Sequence, residues 1–149
     1  MKIIFDLDGT LALCEHRAHY IDKARPGGAN WKDYFAACEY DAPNWPIVSI
    51  LNAMLDHGNY VEIWSGRSDE VRLETIDWLH NHLVRGRTWI ASHLRMREAG
   101  DFTPDHELKE RWLRFENPKP DLVFDDRQQV VDMWRRNGIT CCQVAPGNF

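Results

Sequence analysis

Apolar residues fall along this chain in two alternating rhythms, short continuous runs and stripes at helical spacing. Lys2 to Leu7 is a β-rich run that meets carboxylates at its end, the pattern of a strand covered on both faces that delivers polar groups at its C-terminal edge. Ile47, Ile50, Leu51, Met54 and Leu55 repeat at helical spacing, His57-Gly58-Asn59 supplies a stop, and Tyr60 to Trp64 reads as a second strand. Ser68 or Asp69 is placed to cap a helix carrying Leu73, Ile76, Leu79 and Leu83, after which Thr88 to Ala91 reads as a third strand. Thr103-Pro104-Asp105 has the order of N-cap, first-turn proline and acidic first turn. Leu108, Trp112 and Phe115 mark the buried stripe of that helix, and Asn117-Pro118 ends it. Leu122 to Phe124 gives another strand, Val130, Val131, Met133 and Trp134 a helix closed by Asn137-Gly138, and Ile139 to Val144 a last strand.

Strands alternating with helices predict an α/β, three-layer, Rossmann-like fold with a parallel sheet. One stretch, about 18–46, breaks the rhythm with Pro26-Gly27-Gly28 and a short helix over Trp31 to Cys38. It predicts a small cap inserted after the first strand, within a single domain spanning 1–149.

An apolar fraction of 44% is enough for one core at this length. A formal net charge of −5 argues against coating nucleic acid with a broad basic surface, so any such contact is expected to be local. The apolar run before Asp6 is too short for a signal peptide and no later stretch approaches a membrane-spanning length, so a cytoplasmic protein with no membrane partner is expected. Cys14, Cys38, Cys141 and Cys142 have no metal-ligand spacing, and packing is the expected role of these reduced thiols.

The chemistry concentrates at strand ends. Asp6-Leu7-Asp8-Gly9-Thr10 closes the first strand with two acids and a tight turn, a string that average residue usage produces at a given start with a probability on the order of one in 10⁵. An aspartate at such a position can take a phosphoryl group covalently and split one high barrier into two. A carboxylate cannot approach a phosphate dianion without neutralisation, so a divalent cation and fixed positive donors are expected, and the hard oxygen donors here suit Mg²⁺. Asp8 is placed to protonate the leaving oxygen and then to activate water.

Ser65-Gly66-Arg67 ends the second strand, where a hydroxyl and backbone N–H groups can hold phosphate oxygens. Lys109 lies four residues after Asp105 in one helix; an ordinary ion pair there contributes only about 0.3–0.5 kcal/mol, whereas the functional reading has Asp105 orienting an ammonium toward phosphate. Asp125 and Asp126 follow a strand, and two adjacent carboxylates are costly unless solvated or shared by a cation. Asp126 is the expected direct metal ligand and Asp125 a supporting one, with the reverse left open. In the insertion, Trp31, Tyr34 and Phe35 read first as a small satellite core and second as a surface for stacking a base. His16 and His19 read as substrate contacts or exposed groups.

Taken in order, these segments resemble the four motifs of haloacid dehalogenase superfamily phosphatases along the whole chain. Asp125-Asp126-Arg127, the run Gln129 to Arg136, Gln143-Val144-Ala145 and the Gly147-x-Phe149 ending resemble more closely the 3′-phosphatase domain of bacteriophage polynucleotide kinase/phosphatases. That resemblance implies Asp6, Asp8 and Lys109 as catalytic residues, and Asp6, Asp8, Asp126 and Asp125 around Mg²⁺. On the phosphate and substrate side it implies Thr10, Arg17, which falls eleven residues after Asp6, with Ser65, Gly66, Arg67, Asp105 and Arg127. Arg97-Glu98 and Gly100-Asp101 match the segment ahead of the lysine and carry no implied role. No Gly-x-x-x-x-Gly-Lys motif is present, so no kinase domain is expected in this chain. The expected substrate is a phosphorylated nucleic-acid end, or a nucleotide or small metabolite, in the host cytoplasm if phage-encoded; a non-catalytic phosphate-binding module is the reading from another class.

Overall fold

The computed structural model describes residues 1–22, 24 and 26–147, so Phe149 of the C-terminal pattern lies outside the described residues. At its centre is strand β1 (Lys2–Phe5), every residue of which is buried. Parallel pairing with β4 (Tyr60–Ser68) on one side and β6 (Leu122–Asp125) on the other satisfies its backbone along both edges. Between β1 and β4 in the chain lie a short antiparallel pair, β2 (Ala12–Leu13) and β3 (Ala42–Pro43), helix α1 (Trp31–Ala36) and helix α2 (Trp45–Asp56). Helices α3 (Arg72–His82) and α4 (Arg87–His93) then lead to β5 (Leu94–Arg97), which extends the sheet beyond β4. Helix α5 (Asp105–Phe115) precedes β6, and α6 (Gln128–Arg136) connects β6 to β7 (Thr140–Gln143). The five main strands run parallel in the order β5-β4-β1-β6-β7.

Side chains alternate across this sheet and divide the interior in two. Ile3, Phe5, Val61 and Ile63 pack with Val48, Leu51 and Leu55 of α2 and with Ile76 and Leu79 of α3. Ile4, Trp64 and Val123 face the other way, onto Leu113 of α5 and Val130, Val131 and Trp134 of α6. Trp64 anchors the second layer, edge-on to Trp112 with 5.7 Å between ring centroids and tilted against Trp134 at the same separation.

Four local expectations are corrected. Thr88 to Ala91 lies in α4, and the strand is Leu94–Arg97, where Leu94 and Met96 turn inward between two arginines. So short an apolar run does not distinguish helix from strand by periodicity, and the alternation three residues later carries the strand signal. The second strand, expected over Tyr60 to Trp64, continues as β4 through Ser65-Gly66-Arg67 to Ser68, its register with β5 shifting between Ser65 and Ser68. Helix α5 starts at Asp105 with Pro104 in the capping position, and Thr103 contributes no side-chain cap. Leu73 and Phe115, assigned to buried stripes, are 72% and 87% exposed, while Trp78 and Leu113 take the inward positions.

Candidate active site

The C-terminal ends of β1, β4 and β6 meet where a parallel sheet collects ligand groups. β1 hands over to Asp6 and Asp8, β6 ends in Asp125 and Asp126, and α5 carries Lys109 to the same point. One oxygen from each of Asp6, Asp125 and Asp126 falls in a group whose members all lie within 4.8 Å of one another. Lys109 Nζ donates to Asp6 Oδ1 at 2.5 Å and to Asp125 Oδ2 at 2.8 Å. All four residues are buried.

Three carboxylates therefore face one ammonium. Burial raises the Asp6 carboxyl well above its usual range; Lys109 opposes this, and the charges of Asp125 and Asp126 add to it. Burial and then Asp125 push Asp126 up to about 6. Burial alone would lower Lys109, yet Asp125 and Asp6 raise it, so the ammonium stays charged. Gly9 permits this crowding: its φ is +84°, and a Cβ there would sit 2.2 Å from Asp126 Oδ2. Gly147 does the same behind the pair, where a Cβ would come 2.2 Å from the Asp126 carbonyl oxygen.

Asp8 is not in that group. Its carboxylate accepts from Arg17 Nη2 at 2.6 Å, from Arg67 Nε at 3.3 Å and from Arg67 Nη2. Burial works against its charge, but Arg67 and Arg17 together hold Asp8 down at about 2. Both arginines are fully buried, and Asp41 from the insertion completes the cluster. It accepts from Arg17 Nε and Nη2, each at 2.7 Å, and from Arg67 Nη2 at 3.0 Å. The Arg17 guanidinium also stacks 4.1 Å from the Tyr34 ring centroid, and His16 Nε2 lies 2.9 Å from Asp41 Oδ1.

A cavity of about 550 Å³ opens over the acids. Asp6, Asp8, Gly66 and Asp105 line it, as do Lys109, Asp125, Asp126 and Arg127. Thr10, Arg17, Ser65 and Arg67 lie behind its wall: Thr10 Oγ1 is buried without a hydrogen-bond partner, and Ser65 Oγ accepts from the Arg67 N–H at 3.1 Å. Asp105 does not pair with Lys109 as its spacing predicts. It accepts from Arg127 Nη1 at 2.5 Å and from Arg97 Nη2, because Arg97 fastens the loop ahead of α5 by donating to the carbonyls of Gly66, Asp101 and Thr103.

The sequence reading missed Asp41 and gave Arg97 no role. Asp41 sits in an irregular segment with no periodic signal, whereas Arg97 ends a strand and becomes legible once β5 is placed correctly.

Acids from two strand ends, a buried lysine from a following helix and a parallel three-layer sheet define a phosphatase of the haloacid dehalogenase class. The model of the polynucleotide kinase PNKP phosphatase domain matches residues 1–149, and the chain belongs to that family. A protein in the structure of the Pnkp1/Rnl/Hen1 RNA repair complex superposes with a TM-score of 0.75 at 28% identity, over 99% of this chain and 43% of that one. A second structure of the Pnkp1/Rnl/Hen1 complex gives 0.76 at 30% identity, over 99% and 47%. The chain thus spans less than half the length of either protein. The class C acid phosphatase from Bacillus anthracis, 17% identical, shares the fold with a TM-score of 0.68 over 98% of this chain and 66% of its own. Among the described residues no helix is long and apolar enough to cross a membrane.

Proposed function

We propose that this chain is a magnesium-dependent polynucleotide 3′-phosphatase that works through an aspartyl-phosphate on Asp6. The observation that carries the reading is the bridge of Lys109 between Asp6 and Asp125 at the floor of the cavity. Three buried carboxylates against one ammonium leave an excess of negative charge, and an all-oxygen donor set fits a hard divalent cation. Asp6, Asp125 and Asp126 would hold magnesium, with Asp126 the direct ligand of the adjacent pair. When bound, the ion neutralises charge between nucleophile and phosphate.

Lys109 keeps Asp6 oriented and offsets charge on the transferring group. An Asp6 oxygen bonds to phosphorus as the bond from phosphorus to the 3′ oxygen breaks, and the departing oxygen takes a proton from Asp8. Water then attacks phosphorus, Asp8 accepts its proton, and the acyl phosphate bond opens to return Asp6 and inorganic phosphate. For the acid step Asp8 must leave the two arginines and carry a proton; Asp41 then keeps both guanidinium groups paired. Gly66 and Arg127 line the phosphoryl end of the cavity, while Thr10 and Ser65 back its wall and Arg17 and Arg67, also behind it, set where Asp8 points.

Phosphate release from a 3′-phosphorylated oligonucleotide, compared with release from 3′-mononucleotides, tests the substrate. Preference for the oligonucleotide is expected. Equal or better turnover of mononucleotides favours a nucleotide phosphatase instead, a reading supported by a cavity larger than a phosphate alone needs and by the net charge of −5.

A further inference from the structure

The cavity is larger than its chemistry needs. At about 30 Å³ per water-sized group, the five heavy atoms of a phosphate fill on the order of 100–150 Å³ of it. The remainder extends away from the acids to Trp31 and Phe35 of the insertion and to Phe102 of the loop between β5 and α5. Trp31 is 48% exposed and Phe102 88% exposed. Neither is a satisfied core residue, and an aromatic ring held in water beside an anion site lacks the apolar partner that normally covers it. Trp31 and Phe35 stand 5.8 Å apart between centroids, and Tyr34 braces them from the buried side, edge-on to each at 5.6 Å. Lys32, next in the chain to Trp31, also lines the cavity.

We infer that Trp31, Phe35 and Phe102 form a stacking subsite for the base of the terminal nucleotide, so that the enzyme takes the phosphate together with an unpaired base. The inference rests on the polynucleotide reading above and adds the part of the substrate that is gripped. One continuous cavity with carboxylates and an ammonium at one end and flat apolar rings at the other matches a ligand that joins a phosphate to an aromatic ring. A sugar phosphate or an inorganic anion would leave the rings wet. The two aromatic segments come from different parts of the chain, an insertion and a loop, and reach the cavity independently. A base locked in a duplex presents only its outer face, so protruding or frayed 3′ ends are the better substrates.

Two 3′-phosphorylated single-stranded oligonucleotides, one ending in adenosine and one in an abasic residue, separate the possibilities. Loss of the base is expected to raise KM by about 5- to 150-fold, the range that stacking one base spans, with kcat changed by less than about twofold. Phe102→Ala, at an exposed position, is expected to shrink this ratio, and Phe102→Leu, which keeps apolar area without a π-face, to shrink it less. Trp31→Ala is expected to act in the same direction, with the thermal transition recorded to separate binding from folding. Equal KM on both oligonucleotides, or a ratio that persists in every variant, overturns the subsite while leaving the 3′-phosphatase reading intact. Failure to release phosphate from either oligonucleotide while mononucleotides are hydrolysed removes the polynucleotide reading itself.

Discussion

Two buried charge clusters lie side by side at the top of this sheet and are composed in opposite ways. Around Arg17 and Arg67 the charges balance, two guanidinium groups against Asp8 and Asp41, each carboxylate accepting several hydrogen bonds. Around Lys109 they do not, because Asp6, Asp125 and Asp126 share one ammonium. Burial costs each charge several kcal/mol, so a cluster survives only when its members are paired. The arginine cluster meets that condition from within the chain and works as a frame. On the proposed reading a cation from outside completes the acidic cluster; burial first, with the neighbouring carboxylates adding to it, raises Asp6 and Asp126. Excess buried charge of one sign, not burial itself, distinguishes a binding centre from a strut.

The sharpest break in this contrast comes from Asp6→Asn. Turnover of a 3′-phosphorylated oligonucleotide should fall by about 10⁴-fold or more while the circular dichroism spectrum and thermal transition stay near wild type, since one uncompensated negative charge is removed from an overcharged site. Asp41→Ala should do the reverse and act on folding first. It strips both arginines of a shared partner, and urea unfolding should report a loss of about 3–5 kcal/mol.

Smaller effects separate the clusters by pH. A carboxyl whose pKa is raised on folding binds its proton more tightly in the native state, so Asp126 adds stability in acid and loses it as pH rises through about 6. In EDTA the midpoint temperature should therefore drop between about pH 4 and pH 6.5, by roughly 1–3 kcal/mol of stability, and millimolar magnesium should restore it. Asp8 has the opposite sign: held at about 2, it stabilises above its unfolded value near 4 and that contribution fades as pH falls toward 2, with or without magnesium. A midpoint that ignores magnesium at pH 7 would count against a cation site. Least of all, Leu73→Glu on the exposed side of α3 should shift stability by no more than about 0.5 kcal/mol.

The alternation of strands and helices was legible because a parallel sheet covered on both sides writes continuous apolar runs, and Lys2 to Phe5 and Leu122 to Asp125 carry them plainly. The acids at those strand ends were legible for the same reason, since topology alone gathers them. What the sequence hid were pairings between distant polar groups. Nothing local to Asp41 announces two arginines, and nothing near Asp105 says that Arg97 and Arg127 will take it from Lys109. The misplaced strand at Thr88 to Ala91 has a third cause: four residues are too few for a helical and an extended apolar run to differ.

Strand β1 is the first element of the chain, yet its edges wait for partners made much later. Lys2 accepts a hydrogen bond at its carbonyl from Asp121 and Lys109 reaches Asp6 across 103 positions, so the middle of the sheet closes only when β6 arrives. During synthesis, therefore, β1 precedes its second sheet neighbour by more than a hundred residues, and one edge of an apolar strand stays open to association with other nascent chains until β6 is made. No shortened fragment that stops before β6 can house the reaction centre.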